Sequence, residues 1–517
     1  MRQLKRLLYV PLFLISACSQ DVIDLEEPVG PDEITCESVG PGSANFSKFV
    51  AVGSSYVAGF QAGALFNDGQ NNSLAAILNK QFECAGAPAD FKQPSINTPK
   101  GFNIFVTPNP IGSVVLGRML LQGASPRPTP QVSGPEAIPN PAVNPSFIYT
   151  GGKASLNNFG VQALLLGQAL IPETGNWAVA GQDPRFNPFY GRLAYPGNGT
   201  STLVGDAASA GGSFFLFWLG MDDFLLNAAF GGDNTKAPLT TAPAFDLQYK
   251  LAINAMLMNP AAKGVVANFP NLFKMPHFTS VSWNAVPLDA TTAAGLTASL
   301  ANNYNGFLDQ MVANTLITSE EAAKRKLAYV AGQNAILISD ETLTDLSPYM
   351  AGPAAALLPY ARARQTTKAD ILPLSAGSVI GTTIGGDATK VYGVSVPLPD
   401  QYVLIPSETA AIETARMAFN STIKAVADAN PERLAFADID QALENLIAAQ
   451  LMVINNVSIT ANINPPTGIY SEDGIHPNSR GYAYLSNAII AAINSRFGAT
   501  IQAADISKYQ ATGLPIP

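Results

Sequence analysis

Short apolar runs that alternate with helical periods are the feature that most restricts how this chain can fold. The runs are rich in β-branched and aromatic residues and are bounded by turn residues, which is typical of strands buried on both faces. They lie at residues 49–54, 213–220, 264–269, 335–339 and 434–438. Helical periods lie at residues 73–82, 293–316, 319–324, 407–430 and 481–497. Strands that alternate with helices predict an α/β fold with a parallel sheet.

The composition allows a large core and excludes several classes of protein. Apolar residues make up 47% of the 517 residues, and charged residues only 13%, about half of the ~25% typical of globular proteins. Global disorder is therefore excluded. A net charge of −9 with few Lys and Arg residues argues against a nucleic-acid partner, which requires a basic surface. Two histidines and three cysteines exclude a His-rich metal cluster, a disulfide scaffold and a four-cysteine zinc site.

The first 18 residues have the pattern of an export signal. A basic head at residues 2–6 precedes an apolar stretch at 7–15, which is shorter than the ~20 residues that a membrane-spanning helix needs. The tetrapeptide Ile-Ser-Ala-Cys that ends at Cys18 resembles a bacterial lipobox. That resemblance implies a signal peptide at 1–17, cleavage before Cys18 and a membrane anchor through acylation of Cys18. The alternative is a soluble secretory signal with an incidental cysteine.

Residues 18–45 are expected to form a linker. The stretch 19–45 contains seven acidic residues and no Lys or Arg, which is typical of a solvated tether. It is also similar to surface-export signals of Bacteroidetes-type lipoproteins, although charge-rich linkers are common without that role. In an oxidising compartment, Cys36 and Cys84 would either form a disulfide bond that ties this arm to the domain or remain free thiols.

The rest of the chain, residues 46–517, is expected to form one large domain. It contains no repeat of 20–50 residues and no further apolar run of 18 residues, and no obvious linker divides it. Residues 94–146 contain eleven prolines and little periodicity, which predicts a long ordered excursion over the sheet. Residues 350–405 are interrupted by glycine and proline and predict a second insertion.

Two polar segments contain the candidate catalytic residues. Ser55 follows the first predicted strand, at the edge where α/β folds place ligands, although serine is also a common helix N-cap. Asp473 and His476 lie three residues apart in a polar turn before the last helix. An aspartate at this spacing can orient the imidazole and stabilise its protonated form. The other histidine, His277, follows Met275 and Pro276 and is expected to pack or to line a pocket.

These segments together resemble the SGNH/GDSL hydrolase family, specifically its Bacteroidetes-type lipoprotein members. The family has a flavodoxin-like three-layer α/β sandwich, a Gly-Asp-Ser block with the nucleophile, and an Asp-x-x-His-Pro block near the C-terminus. The resemblance implies that Ser55 is the nucleophile of the block Gly53-Ser54-Ser55, in which Ser54 replaces the aspartate. It implies that Asp473 and His476 complete the catalytic triad, and that long loop insertions decorate the fold.

The same resemblance assigns an oxyanion hole. Gly160, in a loop before a helix expected near Leu164, best matches the family glycine whose N–H binds the oxyanion; the alternative is an ordinary loop glycine. After the second predicted strand, Asp222 stands where the family has asparagine. An ionised aspartate only accepts hydrogen bonds and repels an oxyanion. Asp222 is therefore held protonated, or the site relies on the backbone amides of Ser55 and Gly160 alone, or the chain has lost hydrolysis and kept a binding cleft.

The sequence thus predicts a lipid-anchored serine ester hydrolase of the cell envelope, expected as an outer-membrane lipoprotein that the acidic stretch would direct to the surface. Its substrates would be acyl esters of lipids or acetyl esters of polysaccharide, and no metal or organic cofactor is implied. One alternative is a catalytically impaired surface module that binds glycan or lipid in the same cleft. Another is a purely structural envelope protein, in which Ser55, Asp473 and His476 would lie far apart.

Overall fold

The computed structural model describes residues 36–513 except 104–105, 110–111, 116, 124–126, 132–136 and 195–199. The predicted signal peptide at 1–17, the lipidation at Cys18 and the linker as far as residue 35 therefore lie outside the described residues. The described residues belong to a single unit that begins at Cys36. None of the described helices is both long enough and apolar enough to cross a membrane.

The structure consists of short strands and of helices that cover a central sheet. Numbered in chain order, the strands are β1 (Phe49–Gly53), β2 (Val106–Asn109), β3 (Gly112–Val115), β4 (Met119–Gln122), β5 (Arg127–Pro130), β6 (Asn158–Gly160), β7 (Phe214–Trp218), β8 (Lys263–Ala267), β9 (Val286–Leu288), β10 (Gly332–Asn334), β11 (Leu337–Ser339), β12 (Ala363–Gln365), β13 (Thr383–Ile384), β14 (Asp387–Val391), β15 (Leu434–Ala437), β16 (Met452–Ile454) and β17 (Val457–Ile459). The α-helices are α1 (Ser55–Ala58), α2 (Asn67–Asn71), α3 (Leu74–Phe82), α4 (Pro188–Ala194), α5 (Leu203–Ser209), α6 (Asp222–Ala229), α7 (Ala242–Met256), α8 (Pro276–Thr279), α9 (Ala290–Leu296), α10 (Asn302–Ala313), α11 (Ser319–Arg325), α12 (Pro406–Asp428), α13 (Ile439–Ala449) and α14 (Ser479–Phe497).

The central sheet is parallel and five-stranded, with the order β15-β8-β7-β1-β6. In chain order this is 5-4-3-1-2, which is the flavodoxin-like arrangement. One helical layer contains α3, α13 and α14, and the other contains α5, α6, α7 and α12; α12 and α14 both pack on β8 and β15. The predicted α/β fold, a flavodoxin-like three-layer sandwich with a parallel sheet, is confirmed.

Four of the predicted strands form part of this sheet, as β1, β7, β8 and β15. All residues of β1 and β7 are buried, because helices cover both faces. The prediction that 335–339 is a strand of the central sheet is wrong. β11 lies outside that sheet, where it pairs antiparallel with β12 and bridges Leu398, and its apolar residues enter separate clusters. The fifth place belongs to β6, a three-residue strand that the apolar pattern does not reveal.

The predicted helices are present with small shifts of their ends, with one exception. The helix expected near Leu164 does not form. The N–H of Leu165 donates to Gln168 Oε1 at 3.1 Å, and the N–H of Leu166 donates to Asp223 Oδ2 at 2.7 Å. Side-chain acceptors thus replace the helical carbonyl groups, and Ala163 takes a left-handed φ of 52°.

Two excursions leave the sandwich. The described parts of 94–146 contain the hairpins β2–β3 and β4–β5. The second insertion, expected at 350–405, is part of a longer segment between β8 and α12, which contains α8–α11 and three further antiparallel strand pairs. This segment has two hydrophobic clusters of its own, with members from Val286 to Ile405.

Residues 36–45, which were expected in the linker, belong to the folded unit. Cys36 and Cys84 form a disulfide bond. The N–H of Gly40 donates to Thr500 Oγ1 at 2.8 Å, and the N–H of Ser43 donates to the carbonyl of Phe497 at 2.8 Å. These contacts fix the segment beside the C-terminal end of α14.

Candidate active site

The carboxyl ends of three adjacent strands bring polar residues from distant parts of the sequence to one edge of the sheet. Gly53 at the end of β1 is in register with Gly160 of β6 and with Trp218 of β7. The residues that follow these strands, Ser55, Gln162 and Asp222, all line a cavity of about 200 Å³. This is the position in a flavodoxin-like sheet where ligands bind.

Ser55 is the first residue of α1 and borders this cavity. It is 5% exposed, and its backbone N–H has no acceptor among the described residues. Gly53 permits the sharp turn into α1, because a Cβ there would lie 2.6 Å from the carbonyl oxygen of Trp218. The serine hydroxyl and an unbonded backbone N–H therefore lie together at the N-terminus of α1.

His476 lines the same cavity as Ser55 and is oriented by Asp473. The His476 ring packs against the rings of Tyr56 and Phe60, at centroid distances of 5.4 and 4.7 Å. Nδ1 of His476 lies 3.0 Å from Oδ2 of Asp473. Because a carboxylate accepts, Nδ1 carries the proton and Nε2 has the lone pair that a general base needs. Nε2 is buried, borders the cavity with Ser55 and has no partner among the described residues; such catalytic contacts often tighten only when substrate binds.

Asp473 is held as a carboxylate by a set of donors. Its Oδ2 also accepts from the N–H of Gly63 at 2.9 Å, and its Oδ1 accepts from the N–H groups of Ile475 and His476 at 2.8 and 2.7 Å. Burial raises the pKa of Asp473, but the charge and hydrogen bonds of His476, with the Ile475 N–H, outweigh burial and lower it to about 2. An ionised Asp473 can stabilise a protonated His476.

Asp222 begins α6 and borders the same cavity. It is 3% exposed, and its Oδ2 has no hydrogen-bond partner among the described residues. Burial raises its pKa to about 7, with a smaller contribution from Asp223; His476, the Leu164 N–H and the Ser54 hydroxyl act in the opposite direction. Near neutral pH a large fraction of Asp222 is therefore protonated and able to donate a hydrogen bond.

Gly160 does not occupy the position that the sequence predicted for it. Its N–H donates to Asn158 Oδ1 at 2.8 Å, and Gly160 does not line the cavity. In this arrangement the N–H of Gly160 is not free to bind an oxyanion, and the assignment of Gly160 to the oxyanion hole stays a prediction. In the part of the chain that the structure describes, the next N–H groups without a protein acceptor are those of Gln162 and Ala163.

The second histidine, His277, lines this cavity too. Nδ1 of His277 lies 2.9 Å from the backbone oxygen of Asp473, and since a carbonyl only accepts, Nδ1 carries the proton. Burial lowers the pKa of His277, so its buried and unpartnered Nε2 is an acceptor. Gly474 packs against this residue, and a Cβ at position 474 would lie 2.7 Å from the backbone nitrogen of His277. Its φ of +71° also favours glycine.

The remaining cavity wall is largely apolar and comes partly from the two excursions. Met119 belongs to the first excursion, and Ser375, Gln401 and Tyr402 belong to the second. Further apolar side chains from the sandwich are Phe60, Leu225, Leu226, Ala229 and Phe230. The cavity thus combines a small polar set with an apolar wall, as is usual for sites that bind small molecules.

A group of three carboxylates lies outside the cavity. Atoms of Glu341, Asp400 and Glu408 fall within 4.8 Å of one another. Burial, followed by the charges of Glu341 and Asp400, raises the pKa of Glu408 to about 8, and Glu408 Oε2 accepts from the N–H of Ile405 at 2.8 Å. None of the three borders the cavity that contains Ser55, so this group has no direct role in its chemistry.

The structure therefore brings Ser55, Asp473, His476 and Asp222 to one cavity, whereas Gly160 does not line it. Sequence reasoning missed Gln162 as a cavity residue and left the position of His277 open. The only signal for Gln162 was its place two residues after Gly160, in a segment without periodicity. No protein-family model, no curated protein and no solved structure matches this chain.

Proposed function

We propose that this protein is a serine ester hydrolase in which Ser55 is the nucleophile and His476 is the general base. One observation carries the proposal: Ser55 and the Asp473–His476 pair, which are more than 400 residues apart in the sequence, border one cavity at the ligand-binding edge of the sheet. The orientation of His476 by an ionised Asp473 supplies the base with a free lone pair.

The reaction follows from these positions. His476 Nε2 accepts the Ser55 hydroxyl proton while Oγ forms a bond to the ester carbonyl carbon. Asp473 stabilises the imidazolium, which then gives its proton to the departing alkoxide as the C–O bond breaks. In the second half, His476 takes a proton from water as the water oxygen attacks the acyl-enzyme, and Ser55 recovers its proton when the carboxylic acid leaves.

The developing oxyanion needs hydrogen-bond donors. The backbone N–H of Ser55 and those of Gln162 and Ala163 have no protein acceptor among the described residues. Asp222 adds an O–H donor when it is protonated, in the way that a neutral carboxylic acid donates a hydrogen bond to the oxyanion in ketosteroid isomerase. Of the three outcomes that the sequence left open for Asp222, this proposal takes the protonated one.

The substrate belongs to the class of small acyl esters. A cavity of about 200 Å³ is below the ~300–1,000 Å³ of sites that enclose drug-sized ligands. Its mostly apolar wall suits a short acyl group better than a charged one. Acetyl esters of polysaccharide and short acyl esters of lipids both meet this condition.

The proposal extends to family and location. The flavodoxin-like strand order and the grouping of Ser55 with Asp473 and His476 agree with membership of the SGNH/GDSL hydrolase family. The basic head, apolar stretch and Cys18 in the sequence favour a lipoprotein of the cell envelope, anchored in the outer membrane. A disulfide bond between Cys36 and Cys84 fits an oxidising compartment.

A surface module that binds glycan or lipid without turnover is the second candidate, and Asp222 is the observation that favours it. An ionised Asp222 would oppose the oxyanion and leave a cleft that binds but does not hydrolyse. This candidate predicts binding of an ester or its product with no dependence on Ser55 reactivity.

Turnover of p-nitrophenyl acetate and p-nitrophenyl butyrate by the full chain in dodecyl maltoside tests the proposal. The wild type should exceed Ser55→Ala by about 10³-fold or more, since the nucleophile is lost. Ser486→Ala is the matched control, because Ser486 is a buried serine that does not border the cavity and whose hydroxyl has no partner among the described residues, and it should retain most of the rate. Equal rates for wild type and Ser55→Ala would leave the binding module as the better description.

A further inference from the structure

Gln162 is buried beside the candidate nucleophile with neither end of its side-chain amide bonded. Gln162 is 1% exposed and lines the cavity, and its Oε1 and Nε2 atoms have no hydrogen-bond partner among the described residues. A buried polar group without a partner is unfavourable, because it has lost its hydrogen bonds to water. Such a group at the wall of a cavity is explained when a ligand supplies the missing partner.

The backbone around Gln162 is held in place by several contacts. Asn187 Nδ2 donates to the carbonyl of Gln162 at 3.0 Å and to that of Ala163 at 3.2 Å. The N–H of Val161 donates to the carbonyl of Gly53 at 3.0 Å, which ties the segment to the strand before Ser55. The amide is thus presented to the cavity from a fixed backbone, as a catalytic group requires.

The groups assigned to the oxyanion so far include no side-chain donor that works at every pH. The Gly160 N–H is occupied by Asn158, and Asp222 donates only when protonated. A glutamine amide keeps its two N–H donors at any pH. The segment from Gln162 to Leu164 runs beside Asp222, because the Leu164 N–H bonds to the Asp222 carboxyl group.

We propose that the side-chain amide of Gln162 donates a hydrogen bond to the oxyanion formed when Ser55 attacks the ester. It would supply, from the segment that follows β6, the amide donor that an asparagine at position 222 would otherwise supply from α6. Since both amide atoms are unbonded, an N–H is on offer in either orientation of the amide. The inference rests on the proposed ester hydrolysis and names a further residue for that reaction.

Gln162→Leu removes the donor, and Gln162→Met, which keeps an unbranched side chain, covers the case in which the first variant does not fold. Gln248→Leu is the matched control, because Gln248 also has a buried, unbonded Oε1 but lies outside the cavity. The readouts are kcat and KM for p-nitrophenyl butyrate at pH 6 and pH 8.5. The groups that act on the charge of Asp222 stay unchanged in all three variants; they are His476, Asp223, Tyr56, the Ser54 hydroxyl and the Leu164 N–H.

We expect Gln162→Leu to lose about 10²-fold in kcat with a much smaller change in KM, the usual size of effect for one oxyanion donor. The loss should be greater at pH 8.5 than at pH 6, because protonated Asp222 still donates at the lower pH. Adding Asp222→Asn to Gln162→Leu should restore most of the rate at pH 8.5. Gln248→Leu should match the wild type at both pH values.

The inference is overturned if Gln162→Leu and Gln162→Met stay within threefold of Gln248→Leu, or if Asp222→Asn restores nothing. Ser55→Ala separates this result from failure of the proposed function. When Ser55→Ala abolishes turnover and the Gln162 variants do not change it, the hydrolase stands and only the role of Gln162 falls. When wild type and Ser55→Ala react alike, the proposed function fails and the role of Gln162 fails with it.

Discussion

Nδ1 of His277 lies 2.9 Å from the backbone oxygen of Asp473, the residue whose carboxylate bonds to His476. Both histidines of the chain are therefore hydrogen-bonded to the same residue, and both border the same cavity. Their partners differ in charge, however. His476 faces an ionised carboxylate that stabilises an imidazolium, whereas His277 faces a neutral carbonyl and is buried, which lowers its pKa.

This difference predicts unequal roles for the two histidines. His476→Ala should lower kcat for p-nitrophenyl butyrate by about 10²–10⁴-fold, the range for loss of a general base. His277→Phe, which preserves ring packing against Phe278 at 4.9 Å, should change kcat/KM by no more than about tenfold, the value of one hydrogen bond. Equal losses of kcat in the two variants would contradict the assignment of His476 as the general base.

Asp222→Asn should raise kcat, and the gain should grow with pH. Burial raises the pKa of Asp222 to about 7, so the acid is mostly neutral at pH 5.5 and loses its proton as the pH rises through 7. The wild-type rate should therefore decline on the alkaline side, where the charge repels the oxyanion. Asn removes this decline and should give about tenfold faster turnover than wild type at pH 8.5, a fraction of the value of an oxyanion donor.

Asp223→Asn is the control for that pH effect. Asp223 is the neighbour of Asp222, but its carboxylate is engaged by the Leu166 N–H and the Thr240 hydroxyl and does not line the cavity. It should give no gain at pH 8.5. A lower rate in Asp222→Asn than in wild type would show that the acid has a role of its own in the reaction.

The disulfide bond between Cys36 and Cys84 should contribute strongly to stability. It spans 48 residues, and the chain-entropy relation gives about 4 kcal/mol for a loop of that length. The double variant Cys36→Ser/Cys84→Ser should lose a comparable free energy of unfolding in urea, and Cys36→Ser alone should lose as much, because either change breaks the bond. Stability within 1 kcal/mol of wild type in both would contradict this estimate.

The general fold was accessible from the sequence because burial on both faces gives long apolar runs. Residues 49–54 and 213–220 show this pattern and form β1 and β7. The strand β6 was missed because it has only three residues, Asn-Phe-Gly, and its place depends on pairing with β1. The strand β11 lies outside the central sheet but has the same apolar character as a strand of that sheet, and only its packing partners distinguish it.

The candidate site was accessible in part for a similar reason. Ser55 and the Asp473–His476 turn stand beside regular elements, where spacing and residue type indicate a role. The oxyanion donors depend on which N–H groups are already bonded, and no sequence pattern shows that Asn158 occupies the N–H of Gly160. The unpaired amide of Gln162 is likewise a property of three-dimensional packing.

Reaction with a fluorophosphonate, followed by mass spectrometry of the modified peptide, tests the central claim most directly. If His476 activates Ser55, the full chain should form one adduct, on Ser55, and His476→Ala should form it far more slowly. Absence of any adduct, or an adduct on another serine with Ser55 unmodified, would contradict the assignment of Ser55 as the nucleophile.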